Sequence, residues 1–276
     1  MEVAELLSED KKKIDQALDR YLPRRGSLSK AMRYSVFAGG KRFRPSLCLA
    51  TARALMGSEK KTIPFACAVE MIHTFTLIHD DLPAMDNSDY RRGKPTNHKL
   101  FGEGIAILAG DALNTLAFNL IADTPAASKE LSTALFKVVE GQVSDLESSD
   151  KKVSLKELRS IHQWKTAALL KACVRGTGRL CGASAAKLKA LTNYADHLGL
   201  AFQIADDILD VTSTRKKLGK PVKADVGKGF PFVIGLERSR EMAEQERGKS
   251  LAALRGFDQH ACQLRDLVEF VVKRES

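Results

Sequence analysis

Residues 79–93 read HDDLPAMDNSDYRRG, so Asp80, Asp81, Asp86 and Asp89 fall within ten positions of a chain whose formal net charge is +10. Carboxylates that close repel one another unless a cation lies between them. A second group follows at FQIADDILD, which contains Asp206, Asp207 and Asp210. At about 100° per residue, Gln203, Asp206, Asp207 and Asp210 share one helical stripe, while Ala205, Ile208 and Leu209 take the opposite side. Acids at i,i+4 on an exposed helix repel by ~0.2–0.5 kcal/mol, and unpaired burial costs far more. The apolar flanks predict a buried helix whose acids face an internal cleft, where a divalent cation removes both penalties. Oxygen-only ligands, with no His or Cys at ligand spacing, favour a hard ion such as Mg²⁺, which shares its shell with phosphate oxygens.

Cations complement the acids. GGKRFRP sets Lys41, Arg42 and Arg44 between a Gly-Gly stop and a helix opened by Pro45, where free backbone N–H groups reinforce the side-chain charge. RRGKP places Arg91 and Arg92 directly after the first acid loop, as guanidinium forks suited to phosphate oxygens. HQWKT adds Lys165 and Thr166, and LGKP adds Lys220 beyond Asp210. Any one of these is ordinary solvated surface, as either acid motif alone could be. Together, acids that hold Mg²⁺ and cations that hold phosphate describe a diphosphate site. His73 and His79 precede the first acids on the same helix and are equally compatible with core packing and ligand binding. The chain contains no phosphate-loop, dinucleotide-loop, zinc-helix or nucleophile-elbow pattern.

The elements that must position these residues are helical. Apolar positions recur every three or four residues and alternating strand patterns are scarce, which predicts an all-α fold, one domain over 1–276. SLSKAMRYSVFAGG reads as a Ser-capped helix, RPSLCLATARALMG as a second, and a third opens near Thr62 and Pro64 and stops after Asp81 because of Pro83. Further helices are predicted over 103–122, 128–147, 154–174, 184–212, 231–250 and 259–273. Five cysteines without a C-x-x-C pair point to a reducing cytoplasm, and no apolar run is long enough for a membrane span. A pI near 9.4 admits nucleic acid, anionic lipid or a phosphorylated small molecule as partner.

Taken together, HDDLPAMDNSDYRRGKPTNH and FQIADDILD resemble the two Asp-rich motifs of trans-isoprenyl diphosphate synthases, the bacterial-type farnesyl and geranylgeranyl diphosphate synthases. GGKRFRP, FGEGIAILAGDAL, GQVSDL, IHQWKTAALL and LGKP extend the resemblance over nearly the whole chain. It implies a single-domain helical bundle with a deep central cavity, usually a homodimer, whose two acid motifs face each other. By position, Asp80, Asp81 and Asp86 with Asp206, Asp207 and Asp210 would hold Mg²⁺ against an allylic diphosphate. Arg91, Lys165, Thr166, Gln203 and Lys220 would contact that substrate, and Lys41, Arg44, His73 and Arg92 would bind isopentenyl diphosphate. Asp80, Asp81, Asp206, Lys165 and Lys220 would carry the chemistry, which is departure of diphosphate, attack by the alkene and loss of a proton.

Chain length in such enzymes depends on what blocks the cavity below the acids. Thr76 lies one turn deeper than Asp80 with Phe75 beside it, and an aromatic there resembles farnesyl diphosphate synthases, with geranylgeranyl diphosphate the alternative product. Three features depart from the family pattern: Ser88 after Asn87, Trp164 before Lys165, and the short stretch KADVGKGFPF, which puts a diphosphate role for Lys228 in doubt. A terpene cyclase is disfavoured by DDILD in place of an Asn/Ser/Glu motif, and a modulatory subunit of a heteromeric synthase by the presence of both acid motifs. A nucleic-acid binder is disfavoured because aromatics do not interleave with the basic residues.

Overall fold

Apolar residues at helical spacing fold this chain into a bundle of α-helices, seen in a computed structural model that describes residues 3–148, 151, 153–212 and 229–273. Lys220 and Lys228 lie outside the described residues. In chain order the bundle begins with α1 (Val3–Tyr21), α2 (Gly26–Val36), α3 (Phe43–Ala54) and α4 (Glu59–Asp80). A two-stranded ribbon, β1 (Tyr90–Arg91) and β2 (Lys94–Pro95), leads into α5 (Asn97–Phe101), α6 (Glu103–Leu120) and α7 (Pro125–Glu147). Next come α8 (Leu155–His162), a π-helical turn (Gln163–Ala167), α9 (Ala168–Leu180) and α10 (Ala185–Thr212). The chain finishes with α11 (Phe230–Ile234), α12 (Leu236–Ala253) and α13 (Cys262–Lys273). Among the described residues no helix is long and apolar enough to cross a membrane.

Local chemistry accounts for most boundaries. Ser58 caps α4 by accepting from the Lys61 amide, so this helix opens a turn before the expected start near Thr62. Pro125 occupies the first turn of α7, where its missing N–H costs nothing. Ser154 and Glu157 form a reciprocal capping box at α8. The expected Ser cap of α2 is replaced: Arg25 stands at the cap without a side-chain bond, and Ser29 bonds back to the Pro23 carbonyl instead. Gly235 (φ 84°) breaks the predicted helix over 231–250 into α11 and α12.

α4 is buried on nearly every side, with Phe65, Cys67, Val69, Met71 and Ile72 all in the core, as befits a helix apolar all round. It packs against α3 and α6, whereas α10 packs against α12. Both also lie against α9, which therefore joins the two acid-bearing helices. A smaller apolar cluster of Leu158, Ile204, Phe230 and Ala243 sits under α8, α10, α11 and α12.

Candidate active site

The first acid motif sits where α4 ends. Asp81 is its C-cap, and the loop after it curls back so that the Asp86 amide donates to the Asp80 carbonyl at 2.9 Å and the Ser88 amide to the Asp81 carbonyl at 3.2 Å. Burial pushes the Asp80 carboxyl up to about 6, with Asp86 and Asp81 adding to the shift and Lys165 and Arg91 opposing it. Asp86 is likewise raised, by burial first, with Asp145 and Asp81 contributing. Burial thus disfavours the ionised form of both carboxyls, a cost that a nearby cation would reduce. Asp89 lies apart, paired with Lys99 at 2.8 Å.

Asp81 and Arg91, expected at the metal and at the diphosphate respectively, are bound to each other. Arg91 Nε donates to both Asp81 oxygens at 2.9 Å, and a second guanidinium nitrogen donates to Oδ1 at 2.7 Å. The ribbon makes this contact possible. Arg92 and Gly93 both take positive φ (54° and 74°) at its tip, the signature of a tight I′ hairpin, and Thr96 closes its base by donating to the Ser88 carbonyl. The same turn sends Arg92 Nη1 to the Gly39 carbonyl at 2.6 Å, into the loop that carries Lys41 and Arg44.

That loop and α4 surround His73 with positive charge. Arg44 stands 3.4 Å from His73 Nε2. Burial first, and then Arg44, Arg92, Arg91 and Arg42, hold the imidazole well below its ordinary pKa, so it is neutral. Arg92 is itself held low by burial and by Arg42, Arg91 and Arg44. Such crowding is relieved by an anion. Arg42 plays a different part: it is buried and ion-paired to Glu70 at 2.7 Å and Asp15 at 2.8 Å, a strut rather than a ligand contact. Lys41 leans over the Phe270 ring of α13 at 5.3 Å. His79 is a packing residue, with Nε2 3.0 Å from the Ile107 carbonyl and its ring 4.8 Å from that of Phe75. The Thr76 hydroxyl donates to the His73 carbonyl.

The second motif lies near the C-terminal end of α10. Asp206 and Asp207 are half-buried, but Asp210 is exposed, so the expected burial of all three acids does not extend to the last turn. Asp207 is engaged: Gln203 Nε2 donates to one of its oxygens at 2.8 Å and the Phe230 amide to the other at 2.9 Å. Gln203 in turn accepts from the Thr166 hydroxyl at 3.0 Å.

The two motifs meet at the π turn. Lys165 donates to Asp145 of α7 at 2.6 Å; burial would lower its pKa, but Asp145, Asp80 and Asp86 outweigh this and raise it. Two glycines hold the turn in place. A Cβ on Gly141 of α7 would lie 2.5 Å from the Lys165 amide nitrogen, and one on Gly199 of α10 would lie 2.3 Å from the Ala167 Cβ. Glycine inside a helix costs ~1 kcal/mol relative to alanine, and here it permits the backbone approach that aims Lys165 at the first motif and Thr166 at the second. A cavity of about 90 Å³ lined by Asp145, His162, Lys165, Gln203 and Asp207 lies between them. Asp145, His162, Gly141 and Gly199 were not singled out from the sequence. The signal for two of them was present, since glycines inside otherwise helical patterns mark close packing.

Among the described residues no three Asp, Glu, His or Cys side chains are already drawn together around a point that could hold a metal ion. The donors nonetheless suit a hard divalent cation: they are carboxylates, and burial, the main cause of the raised pKa values of Asp80 and Asp86, penalises their ionised form in a way a cation would offset.

Residues 25–269 match the family model described as polyprenyl synthetase. The farnesyl diphosphate synthase of Geobacillus stearothermophilus is 43% identical over 293 aligned positions, covering 100% of this chain and 99% of that one. Geranylgeranyl pyrophosphate synthase 3 of Arabidopsis thaliana, a chloroplastic protein, is 45% identical over 89% of this chain and 74% of its own. Among solved structures, an FPP/GFPP synthase from Zymomonas mobilis superposes with a TM-score of 0.86 at 34% identity, over 98% of both chains. A Caulobacter crescentus polyprenyl synthase complexed with calcium and isoprenyl diphosphate gives 0.91 at 28% identity, over 99% of this chain and 97% of that one.

Proposed function

The chain belongs to the polyprenyl synthetase family, and from that premise we propose that it condenses isopentenyl diphosphate with dimethylallyl or geranyl diphosphate to make farnesyl diphosphate. The observation that carries this reading is the meeting of both acid motifs at Lys165 and Thr166: Lys165 lies in the field of Asp80 and Asp86, and Thr166 is bonded through Gln203 to Asp207. In this reading Asp80 and Asp86 on one side, with Asp206 and Asp210 on the other, would hold Mg²⁺, and the chemistry it would supply there is positive charge for a departing diphosphate. Asp81 and Asp207, whose oxygens accept from Arg91, Gln203 and the Phe230 amide, act chiefly by fixing those partners.

Lys165, with Arg91, Thr166, Gln203 and Lys220, binds the allylic diphosphate. Arg44, Arg92, Lys41 and neutral His73 bind isopentenyl diphosphate in the cationic pocket beside α4. The allylic C–O bond breaks and the diphosphate leaves with the electron pair. The isopentenyl alkene then forms the new C–C bond, and a proton passes to the released diphosphate. Positioning and charge stabilisation supply the rate enhancement. A homodimer in the cytoplasm completes the proposal. Supporting the first are the exposed Phe136, Val139 and Val143, at i, i+3 and i+7 on one face of α7, and supporting the second is the unpaired cysteine pattern.

The test is purified protein with Mg²⁺, isopentenyl diphosphate and each allylic diphosphate in turn, followed by product analysis. Fifteen-carbon diphosphate is expected; a cyclised hydrocarbon, or no product until another subunit is added, rejects the reading. Relatives named for farnesyl and for geranylgeranyl products lie at similar identity, 43% and 45%, so a twenty-carbon product is the specific alternative. Phe75→Ala is expected to lengthen the product, and an unchanged chain-length distribution removes Phe75 as the floor.

A further inference from the structure

His162 ends α8, immediately before the π turn that carries Lys165 and Thr166. Its ring lies against Phe230 with centroids 5.5 Å apart and planes 28° from parallel. The side chain is only 13% exposed, and neither ring nitrogen has a hydrogen-bond partner among the described residues. Nε2 stands 3.8 Å from Asp207 Oδ2, beyond hydrogen-bond reach. An imidazole buried with both nitrogens unmatched bears a desolvation cost that packing on Phe230 does not explain, since phenylalanine would pack there without it.

The surroundings identify a guest that would offset this cost. His162 lines the cavity of about 90 Å³ together with Asp145, Lys165, Gln203 and Asp207. An imidazole carries at least one N–H in either protonation state, so the ring is a donor in every form it takes. Beside Lys165, that N–H adds a second donor to an anion. Resting on the function proposed above, we infer that His162 is a further substrate-binding residue. Its ring N–H donates to a diphosphate oxygen of the allylic substrate, directly or through one water, in the cavity between Lys165 and Asp207.

Three full-length proteins test this: wild type, His162→Phe, which keeps the ring on Phe230 but removes both nitrogens, and His162→Gln, which restores a donor. Inorganic diphosphate is titrated by calorimetry at fixed excess Mg²⁺, and steady-state rates are measured with geranyl and isopentenyl diphosphates. His162→Phe is expected to weaken diphosphate binding and raise KM for geranyl diphosphate roughly tenfold or more, the scale of one hydrogen bond to a charged group. KM for isopentenyl diphosphate and the melting temperature should stay put, and His162→Gln should recover part of the loss. Wild-type-like diphosphate binding by His162→Phe would overturn the inference, as would an equal loss for both substrates, or a lowered melting temperature with binding intact. Should His162→Phe not fold, His162→Asn, too short to reach the same point, carries the same expectation. Failure of the wild type to bind diphosphate or turn over rejects the proposed function itself, a result distinct from an inert His162.

Discussion

Asp80 and Asp81 are neighbours with opposite circumstances. Asp81 is held by three guanidinium contacts from Arg91, whereas burial and Asp86 push the Asp80 carboxyl up to about 6. Substitutions should separate them. Asp80→Ala is expected to lower kcat by at least ~10²-fold, the scale of removing one transition-state stabilising group, with little change in melting temperature. Arg91→Ala should instead unfold more easily, because Asp81 is left as a buried, unmatched anion, a change worth about 3–5 kcal/mol. Thermal melts and turnover measured on both variants check the contrast; an Asp80→Ala enzyme with most of its activity would remove that residue from the ligand set. The residue types needed for this chemistry were visible in HDDLPAMD. That Asp81, and not Asp80, is held by Arg91 was not, because the answer depends on a hairpin whose tip, Arg92-Gly93, lacks the usual Asn-Gly or Asp-Gly signal.

Helices place the site through their closest approaches. Gly141→Ala would set a Cβ 2.5 Å from the Lys165 amide nitrogen and 2.9 Å from its Cα, against backbone that cannot swing aside. Overpacking of this kind costs about 1–3 kcal/mol, and the turn that aims Lys165 must shift. We expect a lower melting temperature together with a fall in kcat of tenfold or more; activity near wild type would show that the π turn tolerates displacement. A second junction lies at the far end of α3, where Arg53 joins Asp10 of α1, Glu59 of α4 and Gln263 of α13. The Arg53 hydrogen bond first, against some burial and with help from Lys13, pulls Glu59 down from 4.5 to about 2. A depressed carboxylate pKa means stability present above about pH 4.5 and lost as pH falls toward 2. With the Glu59 side chain 31% exposed, solvent screening reduces this to ~1–2 kcal/mol. Asp10, on the same guanidinium, is raised by burial and recovers part of that loss on protonation. Glu59→Gln should therefore flatten the fall of melting temperature with pH over that window; an unchanged slope would place the acid sensitivity elsewhere.

Over the whole molecule, the feature that one chain leaves unsolved is the α7 stripe. Phe136 is 64% exposed, Val139 and Val143 49% each and Leu146 42%, at i, i+3, i+7 and i+10. A large apolar stripe kept in water is costly, and the proposed homodimer would bury it. In sedimentation the wild type is expected to run as a dimer and Phe136→Glu as a monomer or a weaker dimer; a wild-type monomer would reject the homodimer. Because α7 also carries Gly141 and Asp145, loss of the dimer should cost activity as well as mass.

Helical class and most helix spans were written into local spacing, since a 3.6-residue period and cap residues act within one or two turns. Even α1 carried its signal, with Leu6, Leu7, Ile14, Ala17 and Leu18 buried at helical intervals, although the charged residues around them hid it. The family, too, was legible from the order and separation of its two acid motifs. Partnership was not. The Asp81–Arg91 clamp, the Thr166–Gln203–Asp207 relay, the glycine contacts around the π turn and the buried, unmatched His162 each join positions brought together only when α4, α7, α9 and α10 pack. Periodicity dictates which face of a helix is apolar, but the points at which helices touch are selected by the packing of all of them at once, and that selection exists only in the folded bundle.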